Sequence, residues 1–198
     1  NMKYKSDHQI YSVYGINNSC ELLKLAKDHI TSIFLLNGSQ AFRNNYIKKS
    51  INSIKKKCTI LEKHEFNNKF SGIRSQGIVI NFRFKVNNSL PKFSGENICL
   101  LIPESIEDPQ NLGQIIRTSE CAGIDGILIS RNRNVGITNA VLQVSQGSFL
   151  NMPIYMIGNT SQTLLSLKKE GFWIIGVENG VDASNWYDID YSGKIIFI

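Results

Sequence analysis

Apolar residues along this chain alternate between short continuous runs and stretches where they return every three to four positions, as in strands and amphipathic helices. In the first half the spacing predicts a helix over 19–27, carried by Leu22, Leu23 and Ala26, after an irregular start. A strand over 33–36 is closed by Asn37–Gly38, and a long helix over 40–57 turns Phe42, Ile47, Ile51 and Ile54 inward. A strand over 59–61, a helical turn over 64–70 and a strand over 77–82 complete a compact α/β sandwich.

Residues 85–97, KVNNSLPKFSGEN, are polar and carry Pro91 and Gly95, which reads as a linker. Beyond it a continuous apolar run, Ile98–Ile102, is of the kind buried on both faces of a parallel sheet. Strands over 126–129, 154–157, 172–176 and 194–198 alternate with helices over 112–122, 138–144 and 162–169. This is the pattern of a parallel α/β sheet with right-handed crossovers. The expected organisation is therefore a domain over 1–84, a linker over 85–97 and a Rossmann-like domain over 98–198. The apolar strand IIFI ends the sequence with no helix to cover it, so more protein is expected beyond Ile198.

Charge sharpens the division. Residues 1–95 hold 16 Lys and Arg against 5 Asp and Glu, a net +11, whereas residues 96–198 hold 6 against 11, a net −5. A basic half next to an acidic one points to a polyanionic partner, and nucleic acid leads because phosphate neutralisation supplies much of its affinity. Lys48, Lys49, Lys55, Lys56 and Lys57 crowd the exposed side and end of the 40–57 helix and are the expected RNA contacts. No run reaches membrane-spanning length and the first residues lack a secretion signal, so a cytoplasmic location is expected. Cys20, Cys58, Cys99 and Cys121 form no C-x-x-C pair and make no zinc pattern with His8, His29 and His64. They are expected to be buried free thiols, with no metal.

Phosphate-binding glycine loops and a nucleophile elbow are missing from the sequence. Past the 98–102 strand, residues 107–129 read EDPQNLGQIIRTSECAGIDGILI. Asp108–Pro109 stiffens a turn, Gly113 permits close approach at a helix start, and Ile115, Ile116 and Ala122 are expected to supply the buried face. Asn111 and Arg117 remain as polar groups with no structural task. Six residues apart on a regular helix they would diverge by about 120°, so they share one site only if Asn111 lies in the preceding loop.

The string Asp108, Pro109, Asn111, Gly113, Ile115, Arg117, Thr118 and Gly123 resembles the first motif of the SpoU (TrmH-type) RNA ribose 2′-O-methyltransferases. Ser145-Gln-Gly-Ser148 before Met152–Pro153–Ile154 resembles a later motif, with Ser148 in place of alanine. Tyr14–Gly15 and Ser75-Gln76-Gly77-Ile78 are similar to signatures of the family's RNA-binding extension, with Ser75 in place of histidine. The resemblance implies a Rossmann-like sheet whose C-terminal segment is knotted around S-adenosylmethionine, a homodimer, and an RNA substrate, ribosomal in the branch with this extension. The family's G-S-E-G-x-G motif would begin just after Ile198.

The same resemblance assigns Arg117 and Asn111 to catalysis, and Asn111, Val177 and Glu178 to the cofactor. Arg74 and Gln76, in and beside the S-Q-G-I signature, join the lysines as RNA contacts. A guanidinium that stays protonated ranks as a stabiliser of a developing alkoxide before it ranks as a base. The alternative is a non-catalytic RNA-binding relative that retains the fold.

Overall fold

The computed structural model describes residues 9–178, 180 and 183–198. Along the chain the elements are β1 (Gln9–Tyr14), α1 (Ile16–Leu25), β2 (Ile30–Leu36), α2 (Gln40–Arg43), α3 (Asn45–Asn52), β3 (Cys58–Leu61), α4 (Lys63–Lys69) and β4 (Ile78–Phe84). Next come β5 (Ile98–Leu101), α5 (Pro109–Cys121), β6 (Gly126–Ser130), α6 (Asn139–Val144), β7 (Ile154–Ile157), α7 (Thr160–Lys169), β8 (Trp173–Ile175) and β9 (Lys194–Phe197). Two compact units result. One comprises the chain up to Lys85 together with Thr138–Leu150, and the other Val86–Ile137 with Asn151–Ile198.

The first unit is a four-stranded sheet of order β1-β4-β2-β3. β4 pairs antiparallel with both β1 and β2, and β2 runs parallel to β3. Burial of Ile78, Val79, Ile80 and Phe82 makes β4 the centre, with Val13, Leu22, Ile33 and Ile47 closing the core around it. β1 lies in the stretch expected to be irregular. Its alternating Tyr11 and Val13 are buried, a period-two signal that the polar residues around it obscure.

The helix expected over 40–57 is broken into two. Asn44 is extended, with φ −69° and ψ 120°, and its side chain accepts from Ile47 N–H at 3.1 Å, so it caps a new helix instead of continuing the old one. Ile47 and Ile51 face inward as expected, while Lys55–Lys57 form a separate 3₁₀ turn.

Two S-Q-G turns recur in this unit. Gln76 and Gly77 have φ of 53° and 87°, Gln146 and Gly147 of 53° and 92°. Each turn closes with a backbone bond, from Ile78 N–H to Ser75 O and from Ser148 N–H to Ser145 O, both 3.1 Å. Positive φ at both central residues is the type I′ signature, which demands glycine or a tolerant polar residue. The second turn belongs to a segment expected in the other domain. α6 is tied to β1 by side chains. Asn139 Oδ1 accepts from Ser12 N–H at 2.9 Å and Gln143 Oε1 from Tyr14 N–H at 2.8 Å. Phe149, 1% exposed, stacks on Phe82 at 5.5 Å and meets Phe84 edge-on at 5.1 Å.

The second unit is a five-stranded, wholly parallel sheet of order β7-β6-β5-β9-β8. Each strand expected in this half is present to within two residues at either end. β6 is buried at all five positions, as a central parallel strand requires. Ile98, Leu100, Ile102, Leu128, Ile157, Leu167, Phe172 and Ile196 form the core on one side of the sheet. The expected linker is not free. Asn87 N–H donates to Ile154 O and Asn87 O accepts from Met156 N–H, which covers the edge of β7. Leu90 and Phe93 pack on the core.

Gly77 is the tightest glycine in the first unit, since an added Cβ would fall 2.2 Å from Ser39 Cβ at φ 87°. Gly77→Ala is expected to lose roughly 2–4 kcal/mol in urea unfolding, from strain plus overpacking. Gly72→Ala, at φ 78° with open space around it, should lose only about 1 kcal/mol.

Candidate functional site

The chemistry-bearing string sits on α5. Asp108 is its N-cap, accepting from Gln110 N–H at 2.8 Å, and Pro109 occupies the first turn where no N–H is needed. The buried stripe is Leu112, Ile116 and Ser119, at the i, i+4, i+7 spacing, with Gly113 also buried. Of the expected face only Ile116 is fully buried. Ile115 is half-buried and Ala122, past the helix end, is exposed.

Asn111 lies inside α5 rather than in the preceding loop. It and Arg117 flank the buried stripe on opposite sides, about 120° apart and about 9 Å along the axis. Both are exposed. The helix alone therefore does not bring them to one point, and each offers its polar group to solvent.

Val177 and Glu178 come after β8 at the carboxyl edge of the parallel sheet, both exposed. Val177 N–H donates to Ile198 O at 2.7 Å, and Ile198 N–H to Ile175 O at 3.0 Å, so the strand ends of β8 and β9 stay zipped. For S-adenosylmethionine these residues fit in part. The exposed Glu178 carboxylate suits ribose hydroxyls or an ammonium group.

Sequence reasoning missed a cavity at this same edge. A half-open cleft of about 470 Å³ is lined by Glu104 after β5, Ser130, Asn132 and Arg133 at and after β6, Gly158 to Ser161 and Leu164 after β7, and Ile198 after β9. The signal was available: polar loops R-N-R-N and G-N-T-S come directly after apolar parallel strands, and ligands of such sheets bind outside the carboxyl ends. Asn159 caps α7 by accepting from Gln162 N–H at 2.9 Å, and Thr160 Oγ1 donates to Glu104 Oε1. The loops after β5 and β6 are clamped by Ile106 N–H to Asn134 Oδ1 at 2.8 Å and Val135 N–H to Ile106 O at 2.7 Å.

In the first unit Lys48, Lys49, Lys55 and Lys56 are exposed and Lys57 is half-buried. The Lys48 ammonium lies 5.6 Å from the centre of the Phe42 ring. Arg74 is exposed. Gln76 has a structural task, because its Oε1 accepts from Ile16 N–H at 2.8 Å and so caps α1, whose own N-cap, Gly15, has no side chain.

The model of the SpoU rRNA Methylase family matches residues 99–198, half of the chain. The chain belongs to that family. Among similar proteins, a 23S rRNA (guanosine-2′-O-)-methyltransferase, RlmB, of Shewanella oneidensis is 26% identical over 190 residues, covering 92% of this chain and 76% of that protein. A putative TrmH family tRNA/rRNA methyltransferase of Staphylococcus saprophyticus is 39% identical over 79 residues, 40% of this chain and 32% of that protein. The SpoU methyltransferase AviRb from Streptomyces viridochromogenes superposes with a TM-score of 0.75 at 12% identity, over 95% of this chain and 70% of its own. Its complex with the cofactor AdoMet gives 0.74 at 12% identity, over 95% and 71%. These structures share the fold of this SpoU-family chain.

Among the described residues no group of His, Cys, Asp and Glu is placed to hold a metal, and no helix is long and apolar enough to cross a membrane. The cysteines are free but not fully buried, contrary to expectation: Cys20, Cys58 and Cys99 are half-covered and Cys121 is exposed. Burial raises the thiol pKa of Cys20, Cys58 and Cys99, helped by Glu21 at Cys20 and Asp125 at Cys99. A raised pKa leaves less thiolate at a given pH. Cys121 should therefore react first with a thiol-specific disulfide reagent, and the lag of the other three should shrink as pH rises. Equal rates at all four would contradict their unequal burial.

Proposed function

We propose that this protein methylates a ribose 2′-hydroxyl in RNA with S-adenosylmethionine as donor, and that ribosomal RNA is its substrate. The observation that carries this reading is the first family motif in register along α5, within which Arg117 is exposed and free of packing duties. Family membership and the similar RlmB, a 23S rRNA enzyme, support it. A homodimer in the cytoplasm, with a knotted cofactor site, is the form we propose for the active enzyme.

The cofactor supplies an electrophilic methyl group on a sulfonium. The protein must then orient the ribose, remove or share its hydroxyl proton and stabilise the alkoxide that develops. Arg117 holds the 2′-oxygen and an adjacent phosphate in its planar, cationic fork. Asn111 and Glu178 serve the cofactor's polar groups and Val177 its apolar surface. Lys48, Lys49, Lys55, Lys56, Lys57 and Arg74 hold the RNA backbone, and Gln76 offers its remaining amide N–H groups.

The test is transfer of a labelled methyl group to ribosomal RNA by the gene product, mapped by resistance of the modified linkage to alkali. Arg117→Ala should lower turnover by more than tenfold, over about 1.4 kcal/mol of barrier, with RNA affinity retained. Arg117→Lys should recover little, because an ammonium cannot reproduce the fork. RNA that binds but is never methylated would identify a non-catalytic relative instead.

RNA affinity should fall steeply with salt, and Lys55→Glu/Lys56→Glu/Lys57→Glu should both weaken it and flatten the salt slope. A shift titration with an unchanged slope would remove these lysines from the RNA interface.

A further inference from the structure

In the first unit, residues 30–61, which run from β2 through β3, hold six Lys and Arg and no Asp or Glu. A surface of one sign attracts any polyanion, so these charges alone do not select between a duplex and a single strand.

One residue within the stretch does not fit a purely electrostatic surface. Tyr46, in the first turn of α3, is 44% exposed and is the one exposed aromatic side chain among the described residues of this unit. Its hydroxyl has no hydrogen-bond partner and its ring no aromatic or cationic neighbour among the described residues. The half-buried rings of the same stretch differ. The Lys48 ammonium lies over Phe42, and that of Lys69 lies 4.3 Å from the centre of Phe34, whose ring also packs on Phe70 at 5.3 Å. Those faces are taken, and the face of Tyr46 is open.

The backbone accounts for its position. The restart at Asn44 sets α3 so that Ile47 and Ile51 enter the core. Tyr46, one residue before Ile47, is turned about 100° from it around the axis, at the border of the exposed side. Lys49 stands three residues on, along that same side. Arg43 ends α2 three residues back. Ala41 N–H donates to Gln76 O at 3.1 Å, which brings the start of α2 against the turn that follows Arg74. Arg43, Lys49 and Arg74 are all exposed, and no side-chain partner engages them among the described residues. Cations thus precede and follow the open ring, with a third at the adjoining turn.

An open π-face between cations suits a ligand that is flat, apolar on its faces and joined through phosphates. An unpaired nucleobase has these properties. Inside a duplex the base faces are covered by their neighbours, so side chains stack only on bases that are splayed out.

We propose that Tyr46 is a stacking platform for one unpaired base of the RNA, with Arg43 and Lys49 holding the phosphates on either side of it. The proposal rests on the RNA-binding part of the reading above and adds a demand for single-stranded RNA that the lysines do not impose. Every base has a π-face, so the platform selects unpaired structure and not a particular base.

Fluorescence anisotropy of the chain with an unstructured oligouridine strand and with an RNA duplex of equal length tests it. Tyr46→Ala should weaken oligouridine binding by about tenfold, the size of one lost base stack, and leave duplex affinity unchanged. Tyr46→Phe should bind as the wild type does, whereas Tyr46→Leu, apolar but without a π-face, should behave like Tyr46→Ala. The salt slope should stay the same in Tyr46→Ala, which loses no phosphate contact, and flatten in Arg43→Gln/Lys49→Gln. Circular dichroism and urea unfolding establish that each variant remains folded. Oligouridine affinity untouched by Tyr46→Ala, an equal loss on the duplex, rescue by leucine, or no oligouridine binding by the wild-type chain would overturn the assignment. A chain that meets every expectation yet never methylates RNA would sink the enzymatic reading and spare this one. Active enzyme whose Tyr46→Ala variant binds oligouridine unchanged would do the reverse.

Discussion

Everything at the carboxyl edge depends on where β9 lies. The chain builds β5, β6 and β7 outward in one direction, crosses to the opposite edge for β8, and returns to insert β9 between β8 and β5. β9 is held from both sides, in register Ile98↔Lys194 to Leu101↔Phe197 with β5 and Trp173↔Ile195 to Ile175↔Phe197 with β8. Because all the ladders are parallel, every strand delivers its next loop to the same edge. Glu104, Arg133, Thr160, Val177 and Ile198 thus meet one boundary of the sheet from positions nearly a hundred residues apart. Ile195 and Ile196 are buried, so displacing β9 would cost the core as well as the ladder.

The second unit was the more legible in sequence, for a physical reason. Strands buried on both faces are continuous apolar runs, and β5, β6, β7 and β9 stand out against polar loops. The first unit builds its sheet mostly from antiparallel pairs with one face partly wetted, where the signal is alternation. Tyr11 and Val13 are enough to seat β1 but too few to announce it. The single long helix expected over 40–57 shows the complementary failure. Apolar spacing persists through Asn44, and only the side-chain bond to Ile47 N–H reveals that the backbone stops and restarts there.

The site was legible in part. Arg117 and Asn111 were recognisable as polar groups without packing duties, and the structure leaves both exposed on α5. Their mutual geometry was not, because a turn containing Asp108–Pro109 can place Asn111 either in a loop or in the first helical turn. Gln76 illustrates the opposite case. A polar residue in a signature invites a functional role, yet its side chain closes the open N-terminus of α1, a service that no local pattern discloses because sixty residues separate the partners. The cavity lies between these cases: each polar loop can be read directly after its strand, but that four of them meet cannot.

The return of residues 138–150 to the first unit has a consequence for synthesis. Phe149 fills the space against Phe82 and Phe84, and Gln143 and Asn139 take up backbone donors of β1. A nascent chain that has emerged only as far as Lys85 therefore has its four strands but lacks an aromatic plug and two acceptors. It must wait while β5, α5 and β6 are made before its first core can be sealed. The two units are consecutive in outline but interleaved in time, so the maturation of one is scheduled by the translation of the other.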